Sequence, residues 1–475
     1  MAALAEAKRQ NLRWIELFYT DVIGGFNHIH IPADAITPES FDEGIPKLDG
    51  SSVRGFREIH ESDMILLPDP ATFATIPWSS GQGGSARFIC DVLVGGSHEP
   101  YSHDPRGIAR RTVDALRGAG YDQSYWGPEI EFFVFDRIHL LPSSDAVRDA
   151  WGGSGYSIKS SEAPWAGASD GHGSVRFKEG YHRAGPFDTL EGIRSEMCNI
   201  LADSFHIQMD AHHHEVATAG QSEINMRFDA LVPAADHVQD IRFVVRNVAR
   251  QHDKVASFMP KPIFGDNGIG MHMNQSLWTG GTNVFFDPAD RYAEVSQTCR
   301  YYIGGLLAHA RALCAITNPT TNSYRRLVPG YEAPVFIAWS RANRSANVRI
   351  PFYLKGNAGA KRIEYRTPDS AANIYLTEAA LAMAGLDGIK KKIEPPAPVD
   401  SDIYKLTPAQ RREREIRELP GSLSEALDCL DSDEEFLHPV FPKSLLETYA
   451  EMKRDEQLQL NLRPHPYEFY RYADV

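Results

Sequence analysis

Carboxylates recur in this chain at spacings that suit cation binding. The run Gly127-Pro128-Glu129-Ile130-Glu131-Phe132-Phe133-Val134-Phe135 has strand alternation, in which positions i and i+2 face one side. Glu129 and Glu131 then point together, while Ile130, Phe132 and Val134 turn to a core. Two adjacent carboxylates repel, and one takes a proton unless a cation neutralises them. Taken alone, the pair also fits a solvated strand face. A second pair lies in His212-His213-His214-Glu215-Val216-Ala217-Thr218-Ala219-Gly220-Gln221-Ser222-Glu223. A hairpin turn around Gly220 would bring Glu215 and Glu223 onto adjacent strands. The three histidines do not read as one metal site, because successive strand residues face opposite sides.

Three further segments add to this inventory. Asp266-Asn267-Gly268-Ile269-Gly270-Met271-His272-Met273-Asn274 is a glycine-rich turn feeding a strand, where backbone can approach a ligand closely. His272, when neutral, is a competent metal ligand. In Lys361-Arg362-Ile363-Glu364-Tyr365-Arg366, strand alternation puts Glu364 between two guanidiniums. Such a face suits a place where metals and anions meet, or a surface ion-pair ladder. The loop from Asn318 to Pro334 carries Arg326, Gly330, Tyr331 and Glu332, and Arg341, Arg344 and Arg349 follow it. Guanidinium forks match carboxylates and phosphates. Many hard oxygen donors with a single histidine favour Mg²⁺ or Mn²⁺ over zinc or copper. Metals with arginines are the equipment of phosphoryl transfer. There is no GxxxxGK[ST] loop and no kinase HRD/DFG set, so a nucleotide site would be of another kind. From the residues alone, a metal-dependent phosphoesterase fits equally.

The elements that must position these residues come from a chain of 475 residues, 42% hydrophobic and 24% charged, enough for two or three cored domains. Its 49 basic and 63 acidic residues give a net charge of −14, which argues against a general nucleic-acid binder. Five scattered cysteines without CxxC spacing fit reduced thiols in a cytoplasmic protein. No signal peptide and no membrane span is expected. Residues 12–33 read as a hairpin, with further strands at 64–67 and 87–94, so the first hundred residues form a small β-rich unit. Asp104-Pro105 opens a helix that ends near Gly118 and Gly120. The domain boundary is placed there, giving units 1–104 and 105–475. Helices are expected at about 187–205, 233–257, 288–317, 370–392 and 444–458. Strands are expected at 129–135, 210–228, 269–278, 335–350 and 361–366. Their irregular mixing predicts an α+β fold with an antiparallel sheet. Residues 137–186 read as a long surface loop, and 394–420 as a solvated excursion.

Together the five motifs, in this order and spacing, resemble the type I glutamine synthetases nearly end to end. Leu48-Asp49-Gly50-Ser51-Ser52, Glu61-Ser62-Asp63-Met64 and Pro464-His465-Pro466-Tyr467-Glu468 share in the resemblance. It implies a small N-terminal β-grasp domain and a large catalytic domain, with a curved antiparallel sheet surrounded by helices. It implies ATP-dependent formation of glutamine from glutamate and ammonium through γ-glutamyl phosphate. Two or more divalent ions per site are implied, one at Glu131, Glu215 and Glu223, another at Glu129, His272 and Glu364. Glutamate would meet Glu131, Asn267, Gly268, His272, Arg326 and Arg366. Asp210, Phe228 and Ser276 would line the nucleotide pocket, and Arg344, Arg349 and Arg362 would surround its phosphates. Glu332 matches a flap residue that closes the site. Asp49 matches the base that takes the ammonium proton, beside Ser52 and Tyr181. Known members are dodecamers of two hexameric rings, with Asp49 supplied by a neighbouring subunit. The same fold also serves γ-glutamyl-amine ligases and non-catalytic regulatory members, but Asp49 and the complete ligand set argue against both. Control by a small molecule or a protein partner stays open. Tyr404 lies in a context unlike that of adenylylated members, and Glu58, next to Arg57, stands where the feedback-inhibited group has arginine.

Overall fold

The computed structural model describes residues 2–56, 62–141, 155–166, 174–341 and 343–475. Arg57, Glu58, Glu61 and parts of the 137–186 segment lie outside the described residues.

A short helix, α1 (Ala2–Arg9), leads into β1 (Trp14–Thr20) and β2 (Phe26–Pro32). These form the expected hairpin, with Glu16 opposite His30 and Phe18 opposite His28. β3 (Ile45–Asp49), β4 (Asp63–Pro68), β5 (Ala74–Ile76) and β6 (Ser85–Val94) complete a sheet ordered β2-β1-β6-β4-β3, with β5 beside β6. The β1–β6 pair is parallel, so this sheet is mixed, as the β-grasp expectation requires. Ile15, Leu17, Leu66, Phe88 and Val92 fill the core of this unit. β3 and β5 escaped the sequence reading because each is short and lacks sustained alternation.

Asp104 caps α2 (Pro105–Gly118), accepting from the Arg106 amide at 3.1 Å. Buried ion pairs tie this helix to both sheets' surroundings. Arg106 reaches Asp69 at 2.7 Å, Asp91 at 2.8 Å and Asp236 at 2.8 Å.

The central strand of the larger sheet is β7 (Gln123–Phe135). After it come β8 (Arg137–Leu141), β9 (Gly155–Lys159), α3 (Glu191–Phe205), β10 (Met209–His214), β11 (Gln221–Met226), β12 (Asp229–Ala230) and α4 (Leu231–Gln251). β13 (Val255–Ser257), β14 (Met271–Thr279) and β15 (Thr282–Asn283) follow, then α5 (Gln297–Ala308), α6 (Ala310–Thr317) and α7 (Ser323–Arg326). β16 (Phe336–Arg341), β17 (Ala346–Ile350), β18 (Ile363–Tyr365), α8 (Ile374–Lys391), α9 (Pro408–Glu413) and β19 (Arg417–Glu418) come next. The chain closes with α10 (Leu423–Ser432), α11 (Lys443–Asn461) and α12 (Pro466–Tyr472). The eleven-stranded sheet runs β10-β11-β7-β14-β18-β17-β16-β19, with β12 and β13 on β7 and β15 on β14. Its pairs are antiparallel except β16–β17. Helices α4, α5 and α8 pack Val238, Ile241, Val245, Ile303, Leu306 and Leu381 into the core behind it.

Three expectations shift in detail. The helix read over 233–257 stops at Gln251, where Asp253 takes a φ of 54° and the chain turns back as β13. The helix read over 288–317 begins at Gln297, capped by Ser296, and breaks at His309. The 394–420 segment is anchored rather than free. Val399, Ile403, Ile416 and Leu419 are buried, Trp339 donates to the Pro396 carbonyl at 2.6 Å, and β19 extends the sheet edge. Its charged stretch, read as solvated, hid these four apolar contacts. The five cysteines are free thiols.

Candidate active site

Strand register sets the chemistry in rows. His213 of β10 lies opposite Glu223 of β11, which lies opposite Glu131 of β7. Two residues along, Asn225, Glu129 and His272 align across β11, β7 and β14. A third row runs Asn274, Glu364 and Arg349 across β14, β18 and β17. Because side chains two residues apart share a face, all three rows project from the same side of the sheet. The strand-alternation argument for Glu129 with Glu131 therefore holds, and the Gly220 turn does bring Glu215 and Glu223 together.

Two donor groups result. Glu129, His272 and Glu364 present ligand atoms all within 4.8 Å of one another, and so do His213, Glu215 and Glu223. His272 Nδ1 lies 3.0 Å from Glu129 Oε2 and 3.4 Å from Glu364 Oε1. Glu364 is fully buried between Arg349 and Arg366, with Arg366 Nη1 at 2.5 Å. Glu131 lines the same cavity beside Glu215 and Glu223, with the Gln221 amide donating to its Oε2 at 2.8 Å, and His213 stands next to these acids. The histidine run divides as alternation requires. His212 faces Ser195, His214 bonds the Glu215 carbonyl and Glu162, and only His213 joins the acids. The sequence reading did not single out His213 within the run. Its place opposite Glu223 in a hairpin turned at Gly220 was the available signal.

Burial and mutual repulsion show in the proton affinities. Burial, then the charges of Glu215 and Glu223, push Glu131 well above the usual carboxylate range. Burial and Glu223 push Glu215 up to about 7. Burial and the Arg366 charge hold His272 down at about 3, so its ring is neutral at pH 7 and free to coordinate. Two unit charges 4 Å apart repel by about 4 kcal/mol at an effective dielectric of 20. Divalent cations relieve that repulsion, and the carboxylate-rich donor sets with one neutral imidazole fit Mg²⁺ or Mn²⁺.

The cavity these groups line holds about 210 Å³ and also receives Asn267, Gly268, Arg326, Arg344, Arg349, Arg366, Tyr181 and Glu332. Buried Asn267 Oδ1, Arg349 Nε and Arg366 Nε have no protein partner, leaving recognition capacity for a ligand. The loop before β14 is fixed by Asp266, whose carboxylate accepts from the amides of Lys178, Asn267 and Thr218 at 3.1, 2.9 and 2.8 Å. A Cβ on Gly268 would meet the Pro260 carbonyl at 2.4 Å. A Cβ on Gly270 would sit 3.0 Å from His272 Nε2 and 3.1 Å from Glu131 Oε1, inside the site. Both glycines are thus required by close approach. Glu332 adopts a left-handed φ of 60°, an uncommon state for a residue with a Cβ and a frequent mark of functional loops. The ammonium groups of Lys178 and Lys261 lie 4.3 and 3.8 Å from the ring centre of its neighbour Tyr331. Tyr404 donates to the carbonyl of Ala333, next to Glu332, so its hydroxyl is engaged.

A second cavity, about 450 Å³, shares Glu129 and Asn225 with the first. Asp210, Phe228, Ser276 and Arg362 line it, with Tyr125 and Trp278. Arg362 Nε donates to Asn274 Oδ1 at 2.9 Å, and Asn274 Nδ2 donates to Glu129 Oε1 at 3.0 Å, linking the cavities by hydrogen bonds. Asp49 and Ser52 line neither cavity of this chain. Asp49 is exposed on the N-terminal sheet, and the hydroxyl and amide of Ser51 hold its carboxylate below the usual range.

The raised Glu215 has a consequence for the metal-free protein. Its folded value exceeds the unfolded 4.5, so its contribution to stability is full below about 4.5 and is lost as pH rises through about 7. In chelator, Glu215→Gln is expected to flatten the fall in melting temperature between those pH values. Saturating Mg²⁺ is expected to flatten it in the parent. Parallel melting curves for parent and Glu215→Gln across this window would contradict the assignment.

The model of the glutamine synthetase catalytic domain matches residues 102–472, and that of the glutamine synthetase beta-grasp domain matches residues 11–95. A glutamine synthetase of Sulfolobus acidocaldarius is 51% identical over 99% of this chain and 98% of its own length. One from Salmonella typhimurium is 44% identical over 99% of both chains. Among solved structures, a Plasmodium falciparum glutamine synthetase superposes with a TM-score of 0.88 at 26% identity, covering 99% of this chain and 98% of its own. A GmaS/ADP complex superposes with a TM-score of 0.81 at 27% identity, covering 100% of this chain and 99% of its own.

Proposed function

The chain belongs to the glutamine synthetase family and makes glutamine from glutamate and ammonium with ATP, and we propose that its two donor groups are divalent-cation sites, Glu129, His272 and Glu364 at one and Glu131, Glu215 and Glu223, joined by His213, at the other. The observation that carries this is the convergence of both groups and four arginines, Arg326, Arg344, Arg349 and Arg366, on one cavity. Mg²⁺ or Mn²⁺ bound there would offset the repulsion between the anionic substrates.

The residues divide the rest of the work. Asn267, Gly268, Arg326 and Arg366 hold glutamate beside Glu131 and His272. Asp210, Phe228 and Ser276 receive the nucleotide in the larger cavity, with Phe228 edge-on to Tyr125 at 5.2 Å as a platform for the base. Arg344, Arg349 and Arg362 meet its phosphates, where guanidinium forks stabilise the charge of the transferring group. The glutamate γ-carboxylate attacks the γ-phosphate, giving γ-glutamyl phosphate and ADP. Glu332 closes over this acyl phosphate and keeps water away. Ammonium gives a proton to Asp49, assisted by Ser52 and Tyr181, and the freed ammonia attacks the acyl carbon of the γ-carboxyl group, displacing phosphate. Asp49 is exposed and apart from both cavities of its own chain, which supports its delivery by a neighbouring subunit. The assembly proposed is a dodecamer of two hexameric rings, working in the cytoplasm. No described helix is long and apolar enough to cross a membrane. The domain boundary is proposed at Asp104–Pro105.

ADP release with glutamate and ATP tests the reading. Turnover is expected with ammonium, and only background with putrescine or ethanolamine in its place. Activity confined to the larger amines would overturn it.

A further inference from the structure

Outside the catalytic cavity, a third group of donor atoms stands on the N-terminal sheet: Glu16 of β1 with His28 and His30 of β2. The register explains the group. Glu16 lies directly opposite His30, and His28, two residues along β2, shares its face. His28 Nδ1 approaches Glu16 Oε2 at 2.9 Å, and His30 Nε2 approaches Glu16 Oε1 at 3.3 Å. All three ligand atoms lie within 4.8 Å of one another. Ligand atoms of a tetrahedral zinc centre stand about 3.4 Å apart, given metal–ligand bonds of about 2.0–2.1 Å. The group therefore needs only small rotations to close on an ion.

Its surroundings resemble those of a built site. The Glu16 side chain is 6% exposed, and Ser85 Oγ fixes its Oε1 at 2.5 Å, an orienting contact of the kind that supports metal ligands. The two imidazoles are 40% and 46% exposed, so an ion can reach them from solvent. Phe18 packs against the His28 ring at 4.7 Å, limiting its rotation.

We propose that Glu16, His28 and His30 form a site for a borderline transition metal, Zn²⁺ foremost, that joins edge strand β2 to β1. Two imidazoles and one carboxylate suit Zn²⁺, Ni²⁺ or Co²⁺, whereas Mg²⁺ prefers all-oxygen surroundings. The site is thus chemically distinct from the carboxylate-rich catalytic groups. Three protein ligands leave a fourth position for water. A bound ion would clamp the outermost strand of the sheet, the position most prone to fraying.

The full chain, equilibrated with Zn²⁺ in millimolar Mg²⁺ and freed of excess by gel filtration, tests this by elemental analysis. The parent is expected to carry one zinc per chain more than either His30→Ala or His30→Asn. Zn²⁺ is expected to raise the melting temperature of the parent and not of these variants. In Mg²⁺ alone, both variants are expected to make glutamine at the parental rate. Equal zinc content in parent and variants would overturn the proposal.

Discussion

Glu364→Gln is expected to lower kcat for glutamine formation by on the order of 10²–10³-fold, the cost typical of losing one element of preorganised electrostatic stabilisation. It is also expected to cost about 3–5 kcal/mol of stability, the usual penalty for removing one partner of a buried ion pair. Glu364 has no solvent exposure and accepts from both Arg349 and Arg366 while facing His272. Glutamine keeps the shape and one acceptor but loses the charge. Arg366, itself buried, then retains its positive charge without its nearest counterion. Chemical denaturation of the metal-free variant measures the structural part, and steady-state assays in saturating Mg²⁺ measure the catalytic part. A variant with parental kcat would remove Glu364 from the metal and phosphate machinery.

Asp49→Ala is expected to reduce ammonium-dependent turnover by on the order of 10²–10⁴-fold, the range general-base groups contribute. Affinity for ATP is expected to stay at the parental value, because Asp49 lies outside the nucleotide cavity. Raising the pH, which supplies free ammonia, is expected to restore part of the lost rate in the variant. The carboxylate is set for this work by Ser51, whose hydroxyl and amide donate to Oδ1 at 2.7 and 2.9 Å and keep it ionised. Ser52 Oγ approaches the other oxygen at 3.3 Å. If active sites lie between subunits, mixed assembly of inactive Asp49→Ala and Glu364→Gln chains regains activity, since some interfaces then pair two intact halves. Unchanged turnover in Asp49→Ala would show that another group takes the proton.

Strand periodicity made the centre of the site legible. Glu129 and Glu131 on one face, and Glu215 and Glu223 across a turn at Gly220, follow from alternation and a glycine. What periodicity does not contain is register between strands distant in sequence. The alignment of Asn225, Glu129 and His272, and of Asn274, Glu364 and Arg349, depends on how β7, β14, β18 and β17 pair, and local sequence carries no mark of that. The grouping of Glu129 with His272 and Glu364 came from family resemblance, and the geometry places those three together. Alternation already divided the run of three histidines, but which member faces the acids depends on the β10–β11 register, so His213 was not singled out. The helix ends at Gln251 and His309 were missed because apolar periodicity runs through both, while backbone geometry breaks there. The anchoring of residues 394–420 was hidden by their charge, since a few buried apolar residues among exposed ones give no period.

Counting tightly bound Mn²⁺ per chain, by equilibrium dialysis of the full assembly, tests the two-group account most directly. Two ions are expected for the parent, and one each for Glu215→Gln and Glu364→Gln, because each substitution disables a different group. Two tight ions retained in both variants would contradict the account.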